Sequence, residues 1–274
     1  MAELFESYAV TQWGHSEKSI VLGHGFGTNQ TYWQPQIDML LEQGYQVFSF
    51  DFAGATDNTV KMFDPQRHQS LYGFAEDLIL IIEALNLKNA TYIGHSMGGI
   101  VGLLAQNGSK NLFNALILLG SSASYLNDDI TGYVGGFSKE TVDGLLRAMQ
   151  ENYTVWANGF APLMVGPSNP YLSCLDFTDC LLKLRPDVAH AILKAAFLSD
   201  HRTDVDQLDT PLYVLQTQSD NAVPTVTAQW LAQHGKAQKF IQIATQGHLP
   251  HITAPTLVNK AIIDCLKSYD ERTS

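Results

Sequence analysis

Five residues constrain this chain more than any others: Gly94-His95-Ser96-Met97-Gly98, set directly after the apolar run Ala90 to Ile93 and opening a helical pattern that continues to Gln106. A serine flanked in this way can ride a sharp strand–turn–helix elbow that lifts its Oγ above the edge of a sheet. The glycines remove side chains that would collide inside such a turn. Gly99 and Gly102 keep the same helix slim, so it can sit close to neighbouring strands. A random G-x-S-x-G should arise only about 0.1 times in a chain of this length and composition, before its placement after a strand is considered. Ser96 therefore reads as a nucleophile.

The residues on either side of the elbow alternate between short apolar strands and helices. Ser19 to Leu22 is a strand ending in the glycine-rich Gly23-His24-Gly25-Phe26-Gly27, Thr31 to Gln43 a helix, and Gln46 to Phe50 a strand ending at Asp51. Leu71, Phe74, Leu78, Ile81, Ile82 and Leu85 fall at helical spacing, and Ala115 to Leu119 is a further strand. The expected fold is thus α/β, a mostly parallel central sheet covered by helices on both faces. The pattern changes near Ser121. From about 125 to 205 it holds only helix-like segments, at 138–151, 153–161, 171–184 and 187–198, punctuated by Gly135-Gly136, Pro162, Pro167, Pro170 and Pro186. Strands return at Leu212 to Gln216 and Lys239 to Ile243, with helices at 224–235 and 254–267. A core domain of residues 1–124 and 206–274 with a helical cap at 125–205 is the expected division.

A serine hydroxyl needs a base. Of the nine histidines, His248 stands just past the last strand in Gly247-His248-Leu249-Pro250, where a loop at the carboxyl edge of the sheet would place it. His15, His68, His190, His201 and His234 read as surface or helix residues, and His95 as a group that packs beside the nucleophile or supports the site from behind it. The pair His248 and His251 lacks the Glu or Cys of a metal site, and Pro250 breaks any helix that would align them. Asp220, in Ser219-Asp220-Asn221-Ala222-Val223-Pro224 directly after a strand, is the acid expected to orient the imidazole. Asp51 rivals it on position alone. The order Ser96, Asp220, His248 is the one such a sheet produces. The N–H groups of Phe26 and Met97 are the expected oxyanion donors. The loop of residues 23–27 does not complete a dinucleotide motif, since Thr28 stands where the last glycine is needed, and no phosphate-binding lysine motif occurs. No metal or organic cofactor is expected.

A formal charge of −11, from 16 Lys+Arg against 27 Asp+Glu, opposes nucleic-acid binding. Glu3 and Glu6 occupy the start of the chain where a signal peptide would carry positive charge, and no apolar run is long enough for membrane insertion. Cys174, Cys180 and Cys265 form no CxxC and suit a reducing compartment, so a soluble cytoplasmic protein is expected.

The elbow, the 23–27 loop, Ser219 to Pro224 and Gly247-His248-Leu249-Pro250-His251 together resemble the α/β-hydrolase superfamily. More narrowly the chain is similar, almost end to end, to the RsbQ-type bacterial stress-response regulators and the plant karrikin and strigolactone receptors. The most specific stretches are Tyr125-Leu126-Asn127-Asp128, Gly135-Gly136-Phe137, Asn152-Tyr153 with Trp156, Asn158-Gly159-Phe160-Ala161 and Phe197 to Arg202. Met97-Gly98-Gly99 departs from the plant members and sits closer to the bacterial ones. The resemblance implies a V-shaped four-helix cap over Ser96. It also implies a mostly apolar cavity bordered by Phe26, Tyr125, Phe137, Trp156, Phe160, Ile192 and Phe197, with His95 and Asn221 at its edge. The expected activity is hydrolysis of a small, largely apolar ester or lactone. The alternative is a small-molecule sensor with slow hydrolysis and a regulatory protein partner.

Overall fold

The computed structural model describes residues 1–87, 89–109 and 111–273. Among the described residues seven strands, β1 Thr11–Trp13, β2 Ser19–Gly23, β3 Gln46–Ser49, β4 Ala90–His95, β5 Ala115–Leu119, β6 Leu212–Ser219 and β7 Lys239–Gln246, form one sheet in the order β1-β3-β2-β4-β5-β6-β7. β1 runs antiparallel to β3, and the other neighbours are parallel. The helices are α1 Ala2–Ser7, α2 Gln34–Glu42, α3 Leu71–Leu85, α4 Met97–Gly108, α5 Lys139–Glu151, α6 Tyr153–Val165, α7 Tyr171–Lys183, α8 Pro186–Phe197, α9 Arg202–Asp206, α10 Thr225–His234, α11 Pro250–Thr253 and α12 Pro255–Thr273.

Strand alternation sorts the apolar residues into two layers. Ile20, Leu22, Val47, Ile93, Ile117 and Leu215 pack with α2 and α12 on one face, while Val21, Phe48, Tyr92, Leu116, Leu118 and Val214 pack with α3 and α4 on the other. The second layer is continuous with Trp156, Phe160, Ile192 and Phe197 of α6 and α8, so the inserted helices share the core of the sheet. The chain enters and leaves that insertion at one place. Ser124 pairs with Asp200, and the His201 N–H donates to the Ala123 carbonyl at 2.8 Å.

The expected parallel sheet with helices on both faces is what the chain forms, and three local departures have physical causes. The helix expected over residues 31–43 is split into a 3₁₀ turn, Gln30–Trp33, and α2, because Pro35 favours the first turn of a new helix. α6 runs through Pro162 to Val165 instead of stopping at 161. The carbonyl that Pro162 leaves without a donor belongs to Asn158, and both residues face solvent. β1 carries only three half-exposed residues, too few for an alternating pattern to register. Two histidines read as surface or helix residues are buried outside the helices, each beside a carboxylate: His68 Nε2 lies 2.9 Å from Asp77 Oδ2, and His201 Nδ1 3.1 Å from Asp204 Oδ2.

The start of α4 is pressed against the end of β2. A Cβ on Gly98 would stand 2.2 Å from the His24 carbonyl oxygen and 2.9 Å from that of Gly23. Both are backbone atoms of a buried strand end and cannot step aside. Gly98→Ala is expected to cost about 1–3 kcal/mol of stability, measured as a lowered urea midpoint with an unchanged slope. An unshifted midpoint would mean that α4 is free to lift from β2.

Candidate active site

Ser96 sits where β4 ends and α4 begins, with φ 54° and ψ −126°. A non-glycine residue held there costs of order 1–3 kcal/mol, which its surroundings must supply. They do so through the Ser96 N–H, which donates to the Leu119 carbonyl at 2.9 Å, and the Ser121 hydroxyl, which donates to the Ser96 carbonyl at 2.9 Å. The side chain is thereby turned towards the carboxyl ends of the strands, the edge where ligands of open α/β sheets gather.

Two more strand ends deliver its partners. Asp220 follows β6 and is surrounded by donors: Oδ1 accepts the N–H groups of Ala222 at 2.8 Å and Val223 at 3.1 Å, while Oδ2 lies 2.8 Å from His248 Nδ1. His248 lies two residues beyond β7, and its Nε2 is 2.8 Å from Ser96 Oγ. An ionised carboxylate can only accept, so the proton of a neutral His248 resides on Nδ1 and Nε2 is left to accept from Ser96. Asp51, the positional rival, is engaged elsewhere. Its Oδ1 accepts the Gln30 N–H at 2.8 Å, and its Oδ2 faces the Thr56 hydroxyl at 3.4 Å.

Ser96 Oγ has one further partner, the Tyr125 hydroxyl at 3.3 Å. Burial pushes the Tyr125 phenol well above its usual range, so it stays a neutral donor. The sequence marked Tyr125 only as a bordering aromatic. Its contact with Ser96 depends on how the first residues of the insertion fold back, for which no local pattern exists.

The loop after β2 lies beside the elbow because Gly23 pairs with Gly94. His24 braces this loop: its Nε2 accepts the Phe52 N–H at 2.9 Å, and its Nδ1 donates to the Gly25 carbonyl at 2.9 Å. Met97 is the first residue of α4, so its N–H belongs to the unsatisfied first turn, at the positive end of the helix dipole. Phe26 and Met97 both line a small apolar cavity of about 20 Å³, shared with Ile192, Phe52, Phe74 and Leu184. Larger grooves lie elsewhere. One of about 580 Å³ borders Asn111, Asn114, Thr210 and Pro211, at the amino ends of β5 and β6 and so on the opposite edge from Ser96.

The remaining aromatics pack on one another over Ser96. Trp156 and Phe160 stack at 4.7 Å, Phe26 meets each edge-on at 6.4 Å, Tyr125 stacks on Phe197 at 4.5 Å, and Phe137 meets Phe197 at 5.3 Å. These rings leave Ser96 only 6% exposed. Asn221, on the exposed turn after Asp220, donates from its Nδ2 to the Leu163 carbonyl at 2.8 Å. His95 lies beneath the site, with its Nε2 2.7 Å from the His248 carbonyl oxygen. Among the described residues no group of three or more His, Cys, Asp or Glu side chains is arranged to hold a metal ion. No helix among them is long and apolar enough to cross a membrane.

A strand-end serine on a doubly covered parallel sheet places the chain in a known class, and comparison of its sequence agrees. Residues 20–261 match the alpha/beta hydrolase family, and the chain belongs to it. It is 36% identical to the karrikin insensitive 2 receptor IA of Petunia hybrida, over 93% of this chain and 92% of that one. It is 34% identical to the strigolactone esterase D14 of Arabidopsis thaliana, over 92% and 93%. Among solved structures, a hydrolase from Oleispira antarctica superposes with a TM-score of 0.93 at 28% identity, covering 97% of each chain.

Proposed function

We propose that this α/β hydrolase is a serine hydrolase of small, largely apolar esters or lactones, with Ser96 as nucleophile, His248 as base and Asp220 as the group that orients it. The observation that carries the reading is the unbroken line from Asp220 Oδ2 to His248 Nδ1 and from His248 Nε2 to Ser96 Oγ, each step 2.8 Å. Ser96 Oγ attacks the carbonyl carbon as its proton passes to His248 Nε2. The negative oxygen is received by the N–H groups of Phe26 and Met97, which face charge that develops only in the transition state. His248 then protonates the leaving alcohol, and a water activated by the same ring releases the acid from Ser96. The rings of α6 and α8 supply the apolar environment, so segment 125–205 works as a cap that must shift to admit substrate. Relatives named as esterases support the ester class. The cytoplasm suits three cysteines left as free thiols.

One pair of observations favours a second reading, a small-molecule sensor that hydrolyses slowly and signals to a protein partner. Ser96 is enclosed by packed rings, and several relatives are named as receptors. The two readings part on turnover. With p-nitrophenyl acetate and butyrate, a hydrolase gives steady release and no lasting adduct by intact mass. A sensor gives one burst and an acyl-serine that persists. Neither release nor adduct would overturn both readings.

A further inference from the structure

Beneath the proposed triad lies a row of imidazoles that its chemistry does not use. The His95 ring centroid is 4.9 Å from that of His248 and 4.4 Å from that of His251, and His251 in turn lies 4.8 Å from Trp33. His95 and His251 are both buried. A carbonyl oxygen only accepts, so the 2.7 Å contact with the His248 carbonyl puts the His95 proton on Nε2. His95 Nδ1 and both nitrogens of His251 have no hydrogen-bond partner among the described residues. Burial, reinforced by His251 and His248, holds His95 well below the usual histidine range, and burial pulls His251 down to about 3. Both rings are therefore neutral near pH 7. A buried, incompletely partnered imidazole is a poor choice for packing alone, because an apolar ring would fill the space without desolvated nitrogens.

The placement of His95 supplies a reason for it. It is the last residue of β4 and the immediate neighbour of Ser96, so it is fixed to the same turn as the nucleophile. A Cβ on Gly25 would stand 2.6 Å from His95 Nδ1, so the donor loop also rests on this ring. Its Nε2–H reaches across to the backbone of the base. The other tethers of that segment come from different elements. The His248 N–H donates to the Met164 carbonyl of α6 at 2.6 Å, and the Thr217 hydroxyl of β6 donates to the Gly247 carbonyl at 3.1 Å. The His95 bond alone among these ties base to nucleophile through one residue step.

We propose that His95 is a positioning residue: its Nε2–H clamps the His248 carbonyl, His251 backs its ring, and together they hold the His248 imidazole within reach of Ser96 Oγ. The proposal rests on the triad reading above. A misplacement of about 1 Å in such a pair costs on the order of 10²-fold in rate, whereas substrate binding in the apolar pocket does not depend on it.

The test compares His95→Leu, His95→Gln and His95→Asn with wild type. The glutamine amide reaches the position of the imidazole Nε2–H, and the asparagine amide falls one methylene short. Labelling of Ser96 by a fluorophosphonate and steady hydrolysis of p-nitrophenyl butyrate are followed, with thermal midpoints recorded alongside. The Leu and Asn variants are expected to lose roughly 10- to 100-fold in labelling rate and in kcat, with KM changed less than about twofold, and Gln to recover to within about threefold of wild type. A purely structural role would move the midpoint and would not distinguish Gln from Asn. Should the Leu variant fail to fold, the Gln and Asn pair decides alone. Wild-type rates in Leu or Asn, or a folded Gln variant no better than Asn, would overturn the clamp while leaving the triad standing. A wild type that the phosphonate does not label at Ser96 would remove the triad and the clamp with it.

Discussion

Ser96→Ala is expected to lower kcat for p-nitrophenyl acetate by about 10⁶-fold, equivalent to about 8 kcal/mol of transition-state stabilisation. The loss is this large because every proposed chemical step passes through Oγ. The proposed oxyanion donors and pocket would remain, and they leave an expected residual rate about 10³–10⁴ above water alone. The fold should hardly notice. Among the described residues the hydrogen-bond partners of Oγ are His248 Nε2 and the Tyr125 hydroxyl, whereas the Ser96 N–H and carbonyl keep their bonds to Leu119 and Ser121. A change in unfolding free energy within about 1 kcal/mol is expected, as for removal of one neutral hydrogen-bonding group. The check is initial rate by absorbance together with intact mass after a brief exposure to substrate. A variant that still turned over steadily, or still gained an acyl group, would place the nucleophile elsewhere.

The elbow was the most legible part of the chain because its chemistry is local. A strand, a glycine pair and a helix start within about a dozen residues announce it. That Asp220 and His248 would be brought together with Ser96 was legible for a related reason, since each follows an apolar strand that a parallel sheet must end at the same edge. Contacts made across the fold were not. Tyr125 reaches Ser96 only because the insertion turns back on itself, and His95 reaches the His248 carbonyl from 153 residues away in sequence. Burial of His68 was equally hidden, because Asp77 lies on the next helix and the pairing depends on the loop before it. The lining set was recognised as a group by resemblance, yet of its seven residues only Phe26 and Ile192 line the small cavity, and the other five, all aromatic, pack on one another. Composition can announce apolar volume over a nucleophile, but side-chain packing decides how much of it is open.

Asp220→Asn carries the second-largest expected effect, a fall in kcat of about 10⁴-fold, or about 5.5 kcal/mol, with KM little changed. The carboxylate is met by donors on every side: the N–H groups of Ala222 and Val223 on Oδ1, His248 Nδ1–H on Oδ2, and Gln216 Nε2 at 3.4 Å from the same Oδ2. An asparagine offers one acceptor where two are needed. If its oxygen keeps the two backbone donors, its amide N–H faces His248 Nδ1 and forces the imidazole proton onto Nε2. The ring then cannot take the proton from Ser96. If the amide is turned the other way, its N–H groups confront those of Ala222 and Val223 and leave both without an acceptor, at about 1–3 kcal/mol each. The first arrangement therefore prevails, and the geometry of the site survives while its tautomer is wrong. Two measurements check this together: kcat from pH 6 to 9, and the downfield proton resonance of His248 Nδ1–H, expected in wild type and lost in the variant. A variant within tenfold of wild type would mean that Asp220 does not set the tautomer. Asp51 could not then take its place without releasing the Gln30 N–H, so the whole carboxylate assignment would fall.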